Sequence, residues 1–277
     1  MEFNQLTVII VTFKSEEKIF SCLNTIPKYV KVLIVENSND QKFKKYVEDK
    51  YSNVECILSG SNKGYATANN IGLKQVNTKF GLILNPDTTL EKNTLKNFFE
   101  CAEKNPDFWL FGPGNDQSEN ISLEKNSIQE VNNLKGFGIF LNMEKFDNNF
   151  FDENFFLYFE EIDLCKSIKK KGGKIYLSKN IIINHDSASS VKKGEILELE
   201  KNRNWHWMWS TFYFNKKHKG FFIAIIFIFP KLISALFKTI FYQMILQKDK
   251  RDIYFCRMSG ILNSVLGKKS WYRPPMD

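Results

Sequence analysis

The chain has 277 residues, 43% hydrophobic and 15% aromatic, enough to bury a sizeable core in one or two domains. Lysine and arginine total 39 against 31 acidic residues, a formal charge of +8 that fits an anionic membrane surface or a phosphorylated substrate. The charge is moderate and no nucleic-acid module is present, so nucleic-acid binding is not expected. Cys22, Cys56, Cys101, Cys165 and Cys256 are widely spaced with no CxxC pair, which argues against a disulfide framework or zinc site and for a reducing compartment.

MEFNQLTVIIVTF carries no basic leader or small-residue cleavage site, so no secretory signal is expected and residues 6–13 read as a buried strand. A helix over 15–26, a strand over 31–37, a helix to about Lys50 and a strand over 54–60 follow. Next come a helix over 65–76, a strand over 79–87 and a helix over 89–105, stopped before Pro106. Strands alternating with helices predict an α/β fold with a mostly parallel, twisted, doubly wound sheet. Ligands on such sheets bind at the carboxyl ends of the strands. Thr12, Glu36, Asn37, Asn62 and Asp87 lie just there.

Residues 115–133 are polar and aperiodic and read as a surface loop; a strand over 136–142 resumes the pattern. EEIDLCKSIKKKGG (160–173) has acids first, lysines last and glycines after, the order a helix dipole and a glycine C-cap favour. Residues 174–186 are extended.

The C-terminal part changes character. Trp205, Trp207 and Trp209 precede a basic cluster, Lys216, Lys217, His218 and Lys219. The apolar run from Phe221 ends at Phe229, short of the roughly 20 residues that span a bilayer, and Pro230 is expected to kink or start a helix. Lys231, Ser234, Lys238 and Tyr242 then form a narrow polar stripe on an apolar helix, the pattern of a segment lying in a membrane interface. Flanking cations, with Lys248, Lys250 and Arg251, favour anionic lipid of the cytoplasmic leaflet. A buried core or dimer interface is the alternative, and a shallow re-entrant or spanning arrangement of residues 221–246 stays open. The expected division is a domain over 1–215, with its first half to about 115 and its second from about 134, and a membrane-associating helical extension over 216–277.

LILNPDT ends a strand in a carboxylate that the proline holds rigidly. Asp87 could ligate Mg2+ or Mn2+, or be an acid at a helix start. SNKGYATANNIGL offers a glycine turn feeding a helix, whose N–H groups can bind phosphate. DENFFLYFEEID (152–163) crowds acids among aromatics, which normally avoid each other's surroundings.

In order, VTFKSEEKI, VENS, NKGYATANNIGL, LNPDT, FDNNFFDENFFLYFEEIDLC and NHDSASS resemble the family 2 glycosyltransferases of the GT-A fold, near the rhamnosyltransferase-like branch. The resemblance runs from about Leu6 to Lys217. It implies an inverting, metal-assisted transfer from a dTDP-, UDP- or GDP-sugar to a glycan or lipid-linked acceptor, and the basic, apolar C-terminal part adds a cytoplasmic location, peripheral on the inner face of the plasma membrane. It places Thr12, Phe13, Glu36, Asn37, Asn62, Lys63, Gly64, Asn70, Asn85 and Asp87 around the nucleotide sugar. Asp87 and His185 would hold the metal. In FFLYFEEID the aromatics would wall the acceptor site, Glu161 would be the general base, and Glu160 and Asp163 would orient it. The chain departs from the family's pattern three times: Glu36 for the usual aspartate, Glu161 for the usual aspartate of E-D-x-D, and Ser167 for an arginine, for which Lys63 is a substitute cation. A non-catalytic sugar-nucleotide-binding scaffold on the same fold is the competing reading.

Overall fold

The computed structural model describes residues 3–114, 128–186 and 196–273. In chain order the elements are β1 (Leu6–Thr12), α1 (Glu16–Thr25), β2 (Lys31–Glu36), α2 (Gln41–Lys50), β3 (Val54–Leu58) and α3 (Gly64–Leu73). Then come β4 (Phe80–Leu84), β5 (Thr88–Leu90), α4 (Thr94–Lys104), β6 (Phe108–Pro113), β7 (Ile128–Glu130), β8 (Gly138–Asn142), α5 (Glu160–Lys170), β9 (Lys174–Ser178) and β10 (Ile183–His185). Three long helices close the chain: α6 (Ile196–Lys219), α7 (Phe221–Met244) and α8 (Lys248–Val265). Packing divides these into two compact units, residues 1–152 with 161–187, and residues 153–160 with 188–277. The boundary expected near residue 215 falls inside α6, and the observed division separates Glu160 from Glu161.

The first unit is built on an eight-stranded sheet of order β3-β2-β1-β4-β8-β6-β9-β7. The pairs β2–β3, β1–β2, β1–β4 and β6–β9 are parallel, as apolar runs linked by helices require. β8 runs antiparallel between β4 and β6. All five residues of β4 are buried. Phe80, Phe98 and Phe108 stack around Phe140 at 5.0, 4.8 and 5.8 Å, so aromatic packing fills one face of the sheet. Helix ends follow the sequence chemistry. The Asp40 carboxylate caps α2 by accepting from the N–H groups of Lys42 and Phe43. Gly172, at φ +77°, ends α5 as the C-cap glycine.

Several elements differ from expectation. Residues 88–90 do not open a helix: they form β5, which pairs with β10 in a separate two-stranded sheet, and α4 starts only at Thr94. FWLFGP forms β6, a strand the sequence pattern had not marked. Residues 128–130, expected within a loop, form the edge strand β7 against β9. The part of that loop at 115–127 lies outside the described residues.

The second unit is helical. α6 packs on α7 and α8 through Met208, Phe212, Ala224, Ile228 and Ile261, and through Trp205, Trp209 and Cys256. Pro230 neither breaks nor starts a helix: α7 runs through it for 24 residues, roughly 36 Å. By length and composition α7 is long and apolar enough to cross a membrane, because the helix continues past the apolar run that ends at Phe229. Only a strip with Ala224, Ile228 and Ala235 is buried, while Phe222, Ile226, Phe237 and Met244 are 81, 71, 67 and 76% exposed.

Candidate active site

β1 is flanked by β2 and β4, both parallel to it, so Thr12, Glu36 and the Asn85–Asp87 turn emerge at one edge of the sheet. The short sheet β5–β10 supplies what the main sheet cannot. It registers His185 opposite Thr88, and the Asp186 N–H donates to the Asp87 carbonyl at 2.9 Å. His185 Nε2 thereby lies 3.3 Å from Asp87 Oδ1, with the imidazole stacked on Phe137 at 4.9 Å and 4°. Lys18 Nζ stands 4.0 Å from Asp87 Oδ2 and donates to the Asp186 carbonyl at 3.4 Å. Nothing in the sequence pattern marked Lys18.

A divalent cation is chemically compatible with this pair. A carboxylate and an imidazole converge while remaining 22 and 26% exposed. Among the described residues no cluster of three or more His, Cys, Asp or Glu side chains gathers. Two protein ligands suit Mg2+ or Mn2+, ions that keep waters and share substrate phosphates instead of filling an all-protein cage.

The turn before α3 is tied by amides. Asn37 Nδ2 donates to Asn62 Oδ1 at 3.1 Å and to the Gly64 carbonyl at 3.3 Å, while its Oδ1 accepts from Lys63 N and Ser59 Oγ. Gly64 takes φ +81°, a conformation few other residues tolerate. The Lys63 side chain is exposed. Asn70 serves a different purpose: its amide closes a pair of hydrogen bonds on the Phe151 backbone at 2.9 and 3.0 Å, holding residues 150–151. Glu36 is 2% exposed, and its carboxylate accepts from Ser38 N, Ser38 Oγ and Asp40 N, so it fastens its own loop. Thr12 is buried, and its hydroxyl has no hydrogen-bond partner among the described residues. Phe13 is partly buried, its carbonyl accepting from Ser15 Oγ.

Glu161 sits in the first turn of α5 against Gly136; a Cβ there would stand 3.8 Å from the Glu161 side chain and 3.7 Å from Tyr65 Oη. That hydroxyl donates to the Gly136 carbonyl at 2.6 Å and approaches Asn85 Oδ1 at 3.3 Å. Glu161 thus lies near Gly136, whose carbonyl holds the Tyr65 hydroxyl beside Asn85, two residues before Asp87. Tyr65 lies within the NKGYATANNIG motif, although the sequence alone had not singled it out. Burial pushes the Glu161 carboxyl above the ordinary range, opposed by hydrogen bonds from its own N–H and that of Ile162. Asp163 is buried in the same unit. Ser167 lines a separate hollow with Trp109, Lys145 and Lys171, so two lysines stand where it faces.

The aromatic half of the block belongs to the second unit, with Glu160 buried at its end. Tyr158 and Phe159 both adopt the left-handed backbone, at φ 71° and 72°. For residues with a Cβ this costs about 1–2 kcal/mol each. Residues of α6 hold the segment. Trp207 meets Tyr158 edge-on at 5.1 Å and Phe159 at 5.3 Å, and Phe214 meets Phe159 at 5.3 Å. Ser210 Oγ donates to the Leu157 carbonyl at 2.9 Å, and the buried His206 ring stacks on Phe156 at 4.5 Å. Burial, and secondarily Arg273, push the His206 imidazole down to about 3. Its neutral form suits both neighbours: Nε2–H donates to the Tyr272 carbonyl and Nδ1 accepts from Ser270 Oγ.

With a mixed sheet presenting a metal-compatible carboxylate at its strand ends, and a second carboxylate near Gly136, the family can be assigned. Residues 7–165 match Glycosyl transferase family 2, and the chain belongs to that family. The fold is GT-A-like, with C-terminal helices added. A curated relative is the low-salt glycan biosynthesis hexosyltransferase Agl10 of Haloferax volcanii, 22% identical over 61% of this chain and 62% of the relative. The chain thus spans less than two thirds of the length of the curated relatives it matches. Two solved structures are similar in fold. A mannosyltransferase from Pyrobaculum calidifontis, in complex with GDP-Man and Mn2+, is 12% identical over 96% of this chain and 88% of that one, with a TM-score of 0.58. S. aureus TarS 1-349 in complex with UDP-GlcNAc is 17% identical over 97% and 93%, with a TM-score of 0.54.

Proposed function

We propose that the protein is an inverting glycosyltransferase. It moves a hexose or deoxyhexose, with rhamnose favoured by the sequence resemblance, from a nucleotide diphosphate sugar to a hydroxyl of a lipid-linked or cell-surface glycan. The observation that carries this reading is the pairing of an open Asp87–His185 site at the strand ends with a part-buried Glu161 whose carboxyl is held above its ordinary range. Two carboxylates in such different surroundings suit two tasks.

Glu161 accepts the proton of the acceptor hydroxyl; a raised proton affinity makes it a better base near neutral pH. The freed oxygen attacks the anomeric carbon, and the bond from that carbon to the diphosphate oxygen breaks. Asp87 and His185 would hold the Mg2+ or Mn2+, which when bound offsets charge on the diphosphate. Support for the metal and the nucleotide comes from fold neighbours bound to GDP-Man with Mn2+ and to UDP-GlcNAc. The backbone N–H groups at the start of α3, fixed by Asn37 and Asn62, suit phosphate oxygens. The buried Thr12 hydroxyl and Asn85 complete the donor side.

The exposed apolar side of α7, with lysines along its flank, favours peripheral association with an anionic cytoplasmic leaflet. The division of labour we propose remains a transferase domain over 1–215 and a membrane-associating region over 216–277. The scaffold alternative has one observation in its favour: the Glu36 carboxylate is consumed by its own loop and offers little to a nucleotide base.

Calorimetric titration with dTDP, UDP and GDP, each with and without Mg2+ or Mn2+, tests the proposal. Metal-dependent binding of one nucleotide, followed by turnover of a matching sugar donor, is expected. Binding without turnover across a broad acceptor panel would leave the scaffold reading, and binding of none by folded protein would remove both.

A further inference from the structure

Two consecutive bulky residues in the left-handed conformation are unusual, and here they immediately precede the carboxylate block. Left-handed residues are normally glycine, asparagine or aspartate; tyrosine and phenylalanine gain nothing from it locally. Such strain persists only where the surroundings over-determine it, and it concentrates at functional sites.

The surroundings are one face of α6. His206, Trp207, Ser210, Tyr213, Phe214 and Lys217 recur at spacings of three and four, so they share one side of the helix. Each touches residues 154–159. Asn154 Nδ2 donates to Tyr213 Oη at 3.1 Å, Tyr213 meets Phe155 edge-on at 4.9 Å, and Lys217 Nζ stands 5.9 Å over the Phe155 ring. His206, Ser210 and Phe214 grip Phe156, Leu157 and Phe159. Trp207 contacts both left-handed residues. The alternate face, with Trp205, Met208, Trp209 and Phe212, packs on α7 and α8. α6 is thus anchored behind and presents a template in front.

We infer that Trp207 is a positioning residue. By holding Tyr158 and Phe159 in their left-handed turn it fixes the backbone that leads directly into Glu160 and, next in the chain, Glu161. The inference rests on the proposed role of Glu161. Trp207 is itself 44% exposed, so its indole spans the turn without being a core residue whose loss unfolds the unit.

Four readouts test this. Trp207→Ala is expected to lower kcat for transfer about 10–100-fold, the scale of a misplacement near 1 Å, with nucleotide affinity within about twofold of wild type. Trp207→Phe, which retains a ring, is expected to keep kcat within about threefold; Trp207→Leu substitutes should the alanine variant not fold. Asparagine tolerates the left-handed backbone, so adding Tyr158→Asn to Trp207→Ala is expected to regain part of the lost kcat. Amide hydrogen exchange at residues 159–163 is expected to rise about tenfold in Trp207→Ala.

A raised acceptor KM with unchanged kcat would overturn the inference and make Trp207 a stacking platform for the acceptor. Unchanged exchange, or a further fall in kcat on adding Tyr158→Asn, would also overturn it. Full activity in Glu161→Gln would instead sink the assignment of the base, while the exchange experiment would still report on the clamp.

Discussion

The two units solve opposite problems with similar residues. β4 reads FGLIL and every residue is buried; α7 reads FFIAIIFIFPKLISALFKTIFYQM and leaves most of its large side chains outside. In the sheet unit, apolar side chains face inward and polar groups appear at the strand ends, where Asp87, His185 and Thr12 sit. In the helical unit, α6 is buried on two faces, and the surplus apolar surface is passed outward to α7. A soluble protein rarely tolerates so long an apolar surface without a partner for it. The first unit presents polar groups at its strand ends and the second an apolar helix face; we propose a hydrated, charged ligand for the one and a medium less polar than water for the other.

This comparison predicts that the two functions separate under mutation. The largest effect is expected from Asp87→Ala: loss of metal-dependent nucleotide binding and a fall of about 10²–10³ in transfer rate, as when one group facing developing charge is removed. Its binding to anionic vesicles, measured by flotation, should match wild type. The converse variant joins Phe222→Ser to Phe237→Ser. Each buried aromatic is worth about 1.5–3 kcal/mol, so vesicle partitioning should fall at least about tenfold even if the rings are only half immersed. Nucleotide titration should be unaffected, since both rings are exposed in the protein. Equal loss of both activities in either variant would break the comparison.

A smaller effect sharpens it within the helical unit. His206 is held neutral, its imidazole pushed down to about 3, whereas an unfolded chain takes up that proton near 6.5. Below about 6.5 the unfolded state binds more protons than the folded one, so stability falls with pH, by about 1.4 kcal/mol per pH unit until the folded value is reached. Denaturant titrations between pH 7.5 and 5 should show this slope in the wild type and a flatter one in His206→Gln.

Much of the sheet unit was legible because its signals are local. β1 to β4 are apolar runs punctuated by polar turns, and the carboxylates fall where a parallel sheet puts its ligands. β5 was not legible: Thr88–Leu90 is three residues long, and its partner β10 lies about 95 positions later. That pairing brings His185 to Asp87, so the histidine was found through the family resemblance alone. β7 was hidden for a related reason, since a short polar segment becomes a strand only because β9 offers an edge. Pro230 was not legible as a mid-helix residue, because the packing of Ala224, Ile228 and Ala235 on either side of it offsets a proline's local cost. The left-handed pair at Tyr158 and Phe159 left no trace in composition, because the residues that enforce it are some 50 positions away on α6.

The pH dependence of kcat tests most directly the proposed role of Glu161 as the base on the acceptor side. Burial holds the Glu161 carboxyl above the ordinary range, so the ionised, proton-accepting form accumulates only as pH rises through that elevated value. The wild type should therefore show an activity limb that climbs with pH and lies above the usual carboxylate range, near 4.3. Glu161→Gln should lose about 10²–10⁴ in kcat and with it the limb, while still binding nucleotide. A glutamine variant that kept both the rate and the limb would show that the proton goes elsewhere.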